Sequence, residues 1–195
     1  MTNPKAVSLA ERLRDAIQSL PPRHAIEHGF GLMQTDEGAP ARRRAQARTV
    51  LLSQHLLAES IAPSQGRSVL MKGLEVAALY PCIIDRPFRD VDVLVDDARA
   101  VWTACLDAGY EHRPSDLADI GHHHFPPLLA PFGRIGLDVH ERPNLPRWAR
   151  IDANFILETA EPSRTGIDGI LRPRDDVHAL LMALHAWKSG FTRQR

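Results

Sequence analysis

With only two cysteines in 195 residues, Cys82 and Cys105, the chain has neither a disulfide scaffold nor the paired spacing of a structural zinc site. It has no surplus of charge either: 24 basic residues balance 24 acidic ones, so no global field recruits nucleic acid or a membrane surface. No apolar run is long enough to span a bilayer, no signal peptide is expected, and internal repeats and low-complexity tracts are missing. The expectation is a protein of the reducing cytoplasm with no membrane partner.

What is present is an ordinary globular composition, 44% hydrophobic and 25% charged, in a chain long enough to bury a core. Leu9, Leu13, Ala16, Ile17 and Leu20 keep a helical spacing over residues 8–20, which Pro21-Pro22 ends. A second helix is expected over 41–61, basic at Arg42, Arg43, Arg44 and Arg48 and then apolar at Val50, Leu51, Leu52, Leu56 and Leu57. Its basic end reads more simply as a solvated face than as a nucleic-acid contact.

Short strands and helices then alternate. Residues 68–71 and 90–95 read as strands, 74–80 and 98–108 as helices, and Gly109 as a helix stop. Residues 128–130 and 134–140 read as two strands joined through Pro131-Phe132-Gly133. A last helix is expected over 174–188, with Val177, Leu180, Leu181, Leu184 and Trp187 along one stripe. Cys82, Cys105, Trp102 and Trp187 read as core residues. The expected organisation is an N-terminal helical segment at 1–66, an α/β (α+β) core with a small mixed sheet at 67–145, and a C-terminal helical segment at 146–195.

The chemistry concentrates in three aspartates. Asp90 and Asp92 lie in Arg89-Asp90-Val91-Asp92-Val93-Leu94-Val95, and Asp138 in Leu137-Asp138-Val139-His140. Residues two apart on a strand share a face, so Asp90 and Asp92 aim together while Val91 and Val93 face the other way. Carboxylates set in an apolar frame are costly unless paired or bound to metal, and hard oxygen ligands suit Mg²⁺ or Mn²⁺. Phosphoryl or nucleotidyl transfer is the reaction class to test first.

Leu70-Met71-Lys72-Gly73, the stretch to Tyr80-Pro81, Arg86, Arg89-Asp90-Val91-Asp92, Gly109-Tyr110 and Leu137-Asp138-Val139-His140 together resemble the nucleotidyltransferase-fold superfamily. The closer likeness is to its bacterial branch of poorly characterised proteins, with Lys-Gly before Arg-x-x-Asp-x-Asp. It covers about residues 68–140, and more loosely 171–188, where that branch carries a helix containing histidine. The resemblance implies that Asp90 and Asp92 hold the metals of a nucleoside triphosphate and that Asp138 helps bind the catalytic metal and activate an acceptor hydroxyl. Gly73 would then start a helix whose amides face phosphate, with Lys72 beside it. Gly73-Leu74 stands where the superfamily commonly has Gly-Ser or Gly-Gly, so a serine contact is lacking. Arg86 and Arg89 either reach phosphate as bidentate donors or pair with Asp85 and the aspartates.

His122-His123-His124 competes with this reading, since histidines near Asp138 and His140 are also zinc-ligand material. His122 and His124 would share a strand face, as would Asp138 and His140, and His122, His124 and His140 are the candidates for a substrate-pocket wall. Three functions are therefore carried forward. The first is a metal-dependent nucleotidyltransferase that moves a nucleoside monophosphate to a hydroxyl on RNA, a protein or a small molecule. The second is a catalytically silent nucleotide- or partner-binding module, and the third a zinc-dependent hydrolase.

Overall fold

The computed structural model describes residues 38–112, 124–131, 135–143 and 150–188. The helix expected at 8–20, His122, His123, and Phe132 and Gly133 of the expected turn lie outside the described residues. Helix α1, Ala39–Leu56, carries Pro40 in its first turn, where a missing amide breaks no helical bond. Ala47, Val50, Ser53 and Leu56 recur every three residues on its buried side. The chain continues as a π-helical turn, Leu57–Ile61, whose Ser60 accepts a hydrogen bond from the Tyr110 hydroxyl at 2.8 Å. Together these two elements match the helix expected at 41–61.

The strands are β1 Ser68–Leu70, β2 Asp90–Val95, β3 Glu111–His112, β4 Leu128–Leu129, β5 Gly136–His140, β6 Glu161–Pro162 and β7 Ile170–Arg172. They form one mixed sheet in the order β3-β4-β5-β2-β1-β7-β6. At its centre β2 runs parallel to β5 and antiparallel to β1, and β1 in turn runs parallel to β7. The remaining helices are α2 Leu74–Ala77, α3 Ala98–Asp107, α4 Ala153–Glu158 and α5 Asp175–Lys188. Asp97 starts α3 by accepting from the Ala100 amide at 2.9 Å, and Gly109, at φ 88°, follows its end.

Strand alternation divides the core into two layers. Val91, Val93, Val95, Leu137 and Val139 pack with α1, α2 and α3 on one side of the sheet. Each of these side chains contributes roughly 1.5–3 kcal/mol by leaving water, which fixes the register of β2 and β5. On the other side Leu94, Val69 and Met71 pack against Ile156 and Leu157 of α4 and Val177 and Leu181 of α5. Asp90, Asp92, Asp138 and His140 belong to this second side by the same alternation.

Several details depart from the sequence reading. Strands β3, β6 and β7 and helix α4 were not anticipated, and β6 and β7 give the C-terminal stretch strands as well as helices. Trp187 is 55% exposed and Leu180 51% exposed, not core residues. The reason is angular: α5 buries the line Val177, His178 and Leu181, and positions 180 and 187 point roughly a third of a turn away from it. Cys105 is buried as expected, whereas Trp102 is only half-buried and donates its indole N–H to the Pro126 carbonyl at 2.9 Å. Among the described residues no helix is long and apolar enough to cross a membrane.

Candidate functional site

The parallel pairing of β2 with β5 aligns Asp90 with Gly136, Asp92 with Asp138, and Leu94 with His140. Asp92 and Asp138 are therefore lateral neighbours on one face of the sheet, about 4.8 Å apart at the backbone. Gly136 is the small residue beside Asp90: a Cβ there would stand 3.4 Å from the Asp90 Cβ. Asp90 itself is exposed at the start of β2, whereas Asp92 is only 3% exposed.

Two adjacent carboxylates cannot both ionise cheaply, and their surroundings divide the roles. Burial acts most strongly on Asp92 and raises its pKa. Lys72 and His140 outweigh it and hold the group well below the usual carboxylate range. Both side chains reach the same oxygen, Lys72 Nζ at 2.5 Å and His140 Nε2 at 3.1 Å from Asp92 Oδ1. Asp138 goes the other way. Burial first, and then the charges of Asp92 and Asp90, push it up to about 6 against the smaller opposing pull of His140 and Lys72. A carboxylate held ionised beside one pushed up to about 6 is the pattern expected where two acidic groups take separate roles.

One ligand atom each from Asp92, Asp138 and His140 lie within 4.8 Å of one another, close enough to share a metal ion. Two carboxylate oxygens fit the hard cations Mg²⁺ and Mn²⁺. His140 adds a nitrogen that either ligates or, as in the observed contact, orients Asp92 from behind. Asp90 stands outside that group of three, on the same side of the sheet, and its charge is still felt at Asp138.

The Lys72-Gly73 loop closes the site from β1. Gly73 has φ 62° and ψ −115°, and a Cβ there would come within 2.5 Å of the Asp90 carbonyl oxygen, so only glycine fits. The loop is thereby pressed onto β2, and Lys72 reaches Asp92. Arg86 donates to the Gly73 carbonyl at 3.4 Å and braces this loop, while its expected partner Asp85 is bonded instead to Arg43 at 3.1 Å. Arg89 is exposed, its carbonyl accepting from the Gly136 amide at 3.2 Å. His124 bridges to His140 across the strand edge with ring centroids 5.1 Å apart, so it flanks the site.

The structure thus gathers Lys72, Asp92, Asp138 and His140, sets Asp90 and His124 at their border, and uses Arg86 to hold the loop. Sequence reasoning missed Glu75 and His178, both buried and both packed behind the Lys72-Gly73 loop. The signals were there: an acidic residue among the apolar positions of 74–77, and a histidine on the apolar side of the last helix.

A family model described as uncharacterised nucleotidyltransferase matches residues 37–195. No curated protein and no solved structure matches the chain.

Proposed function

Since the chain belongs to this family of uncharacterised nucleotidyltransferases, we propose that it transfers a nucleoside monophosphate from a nucleoside triphosphate to a hydroxyl acceptor. The observation that carries the reading is the side-by-side placement of Asp92 and Asp138 on β2 and β5, with Asp90 on the same face. Asp92 and Asp138 would hold a divalent cation, Mg²⁺ or Mn²⁺, and Asp90 would extend the ligand set toward the triphosphate. A cation bound there supplies charge neutralisation on the phosphates and lowers the pKa of the acceptor hydroxyl.

The chain's own groups do the rest. Asp92 stays ionised because Lys72 and His140 donate to it. The Lys72 ammonium, carried by a loop that lies close against the Asp90 carbonyl, offers positive charge to a phosphate oxygen. Asp138 is the group placed to take the proton of the acceptor hydroxyl. Overall the acceptor oxygen bonds to the α-phosphorus, pyrophosphate leaves, and one proton is released. The acceptor is a hydroxyl on RNA, a protein or a small molecule. His124 and His140 would form the wall on its side.

A second reading, a silent nucleotide-binding module, draws on one observation: Leu74 is fully buried, so this position offers phosphate no hydroxyl. Titration calorimetry tests the common premise. Nucleoside triphosphate should bind in the presence of Mg²⁺ or Mn²⁺ and not in its absence, and Asp92→Asn or Asp138→Asn should lose at least about tenfold in affinity, the worth of one charge-assisted ligand. Equal affinity with and without the cation would remove the metal site from the reading.

A further inference from the structure

Two buried ionisable side chains outside the metal group, Glu75 and His178, grip the two ends of the five-residue stretch that carries Lys72 and Gly73. His178 on α5 is 4% exposed and donates from Nε2 to the Met71 carbonyl at 2.8 Å. The direction follows from chemistry, because a carbonyl oxygen only accepts. Glu75, in the first turn of α2, has no exposed surface and accepts from the Ser163 hydroxyl at 2.5 Å and from Arg164 Nη1 at 2.8 Å. Ser163 is itself held by Thr165 at 2.8 Å, and Arg164 also pairs with Asp175 at the start of α5. Asp175 bonds in turn to Arg172 of β7, which also pairs with Glu161 of β6.

A fully buried carboxylate is destabilising unless its lone pairs are answered, so this arrangement is costly as mere filling. Its location gives it a use. Residues 71–75 have Asp90 of β2 on one side, which a Cβ on Gly73 would strike, and the β6–β7 turn and α5 on the other. Within this clamp Lys72 is the residue that reaches the metal group.

We propose that His178 and Glu75 are positioning residues: they act through the Lys72-Gly73 loop to hold the Lys72 ammonium where it meets both Asp92 and the bound phosphates. The inference rests on the nucleotidyltransferase reading and adds that the C-terminal elements, 161–178, are part of the nucleotide site. A structural role alone would lower stability and leave the affinity of the folded protein untouched.

The test is a double-mutant cycle on the full chain, read by calorimetric binding of ATP and GTP with Mn²⁺, by Mn²⁺ binding alone, and by amide hydrogen exchange at residues 72–74. His178→Leu removes the donor, and His178→Gln restores it at a similar reach. His178→Leu should weaken nucleotide binding about tenfold, as should Lys72→Met, and the double variant should weaken it no further than Lys72→Met. Mn²⁺ affinity should stay within about twofold, since its ligands sit on paired strands. Exchange at 72–74 should quicken in His178→Leu and return to normal in His178→Gln. Ser163→Ala, which spares the core, should quicken the same amides from the Glu75 side. Losses that add in the double variant, or wild-type exchange at 72–74 in His178→Leu, would overturn the proposal. Wild-type protein that binds neither nucleotide would remove the function reading, and the exchange data would still decide whether the clamp exists.

Discussion

At the residue scale, Gly73 shows how one backbone position ties the fold to the site. The sequence reading gave this glycine a close approach to phosphate; the neighbour it approaches in the structure is the Asp90 carbonyl, on the strand that bears two of the three aspartates. Gly73→Ala must accept a positive φ and push against a main-chain atom of the central strand. The expected loss is at least about 2 kcal/mol in equilibrium urea unfolding, with Asp90 displaced as well. Unchanged stability would show that the loop does not lie against β2. Asp90 and Asp92 were legible as a pair because two-residue alternation assigns them a common face, and Asp138 was joined to them by the resemblance. The contact of Lys72 with Asp92 was not, since a lysine's direction at a strand end depends on a neighbour about twenty positions away.

At the scale of elements, the helices were legible where apolar periodicity is long, as in α1, α3 and α5. Strands β3, β6 and β7 escaped notice because each has only two or three residues, too few for alternation to register, and β7 owes its place to parallel pairing with β1. Helix α5 was expected to bury a leucine and tryptophan stripe, yet it buries a histidine and exposes Trp187. That exchange has a pH consequence. Burial, the largest influence on His178, lowers its pKa, outweighing the Met71 hydrogen bond and the nearby Glu75, while Arg164 and Arg172 lower it further. The native protein therefore takes up this proton less readily than the unfolded chain, whose histidine titrates near 6.5. The contribution is absent above that pH, and below it stability falls by up to about 1.4 kcal/mol per pH unit. Urea midpoints at pH 7.5 and 5.5 should drop less in His178→Gln than in the wild type. An equal drop in both proteins would mean that His178 is not kept neutral by the fold.

At the scale of the whole molecule, the site is assembled from distant parts of the chain. Lys72 follows β1, Asp92 is on β2, Asp138 and His140 are on β5, and His178 lies behind the loop on α5. A seven-stranded mixed sheet with β2 at its centre brings them together, and neither its strand order nor the alignment of Asp92 with Asp138 is written in local patterns. The resemblance carried by Lys72-Gly73 and Arg89-Asp90-Val91-Asp92 supplied what periodicity lacked, and the family match over 37–195 agrees with it. The most direct measurement is therefore of turnover by the whole chain. Protein with Mn²⁺ is incubated with cell extract and each nucleoside triphosphate, labelled either at the α-phosphate or at the γ-phosphate. Nucleotidyl transfer requires α-label on an acceptor and γ-label in released pyrophosphate, both abolished by Asp92→Asn and Asp138→Asn. Label from the γ-phosphate on the acceptor, or α-label transfer that survives both substitutions, would contradict it.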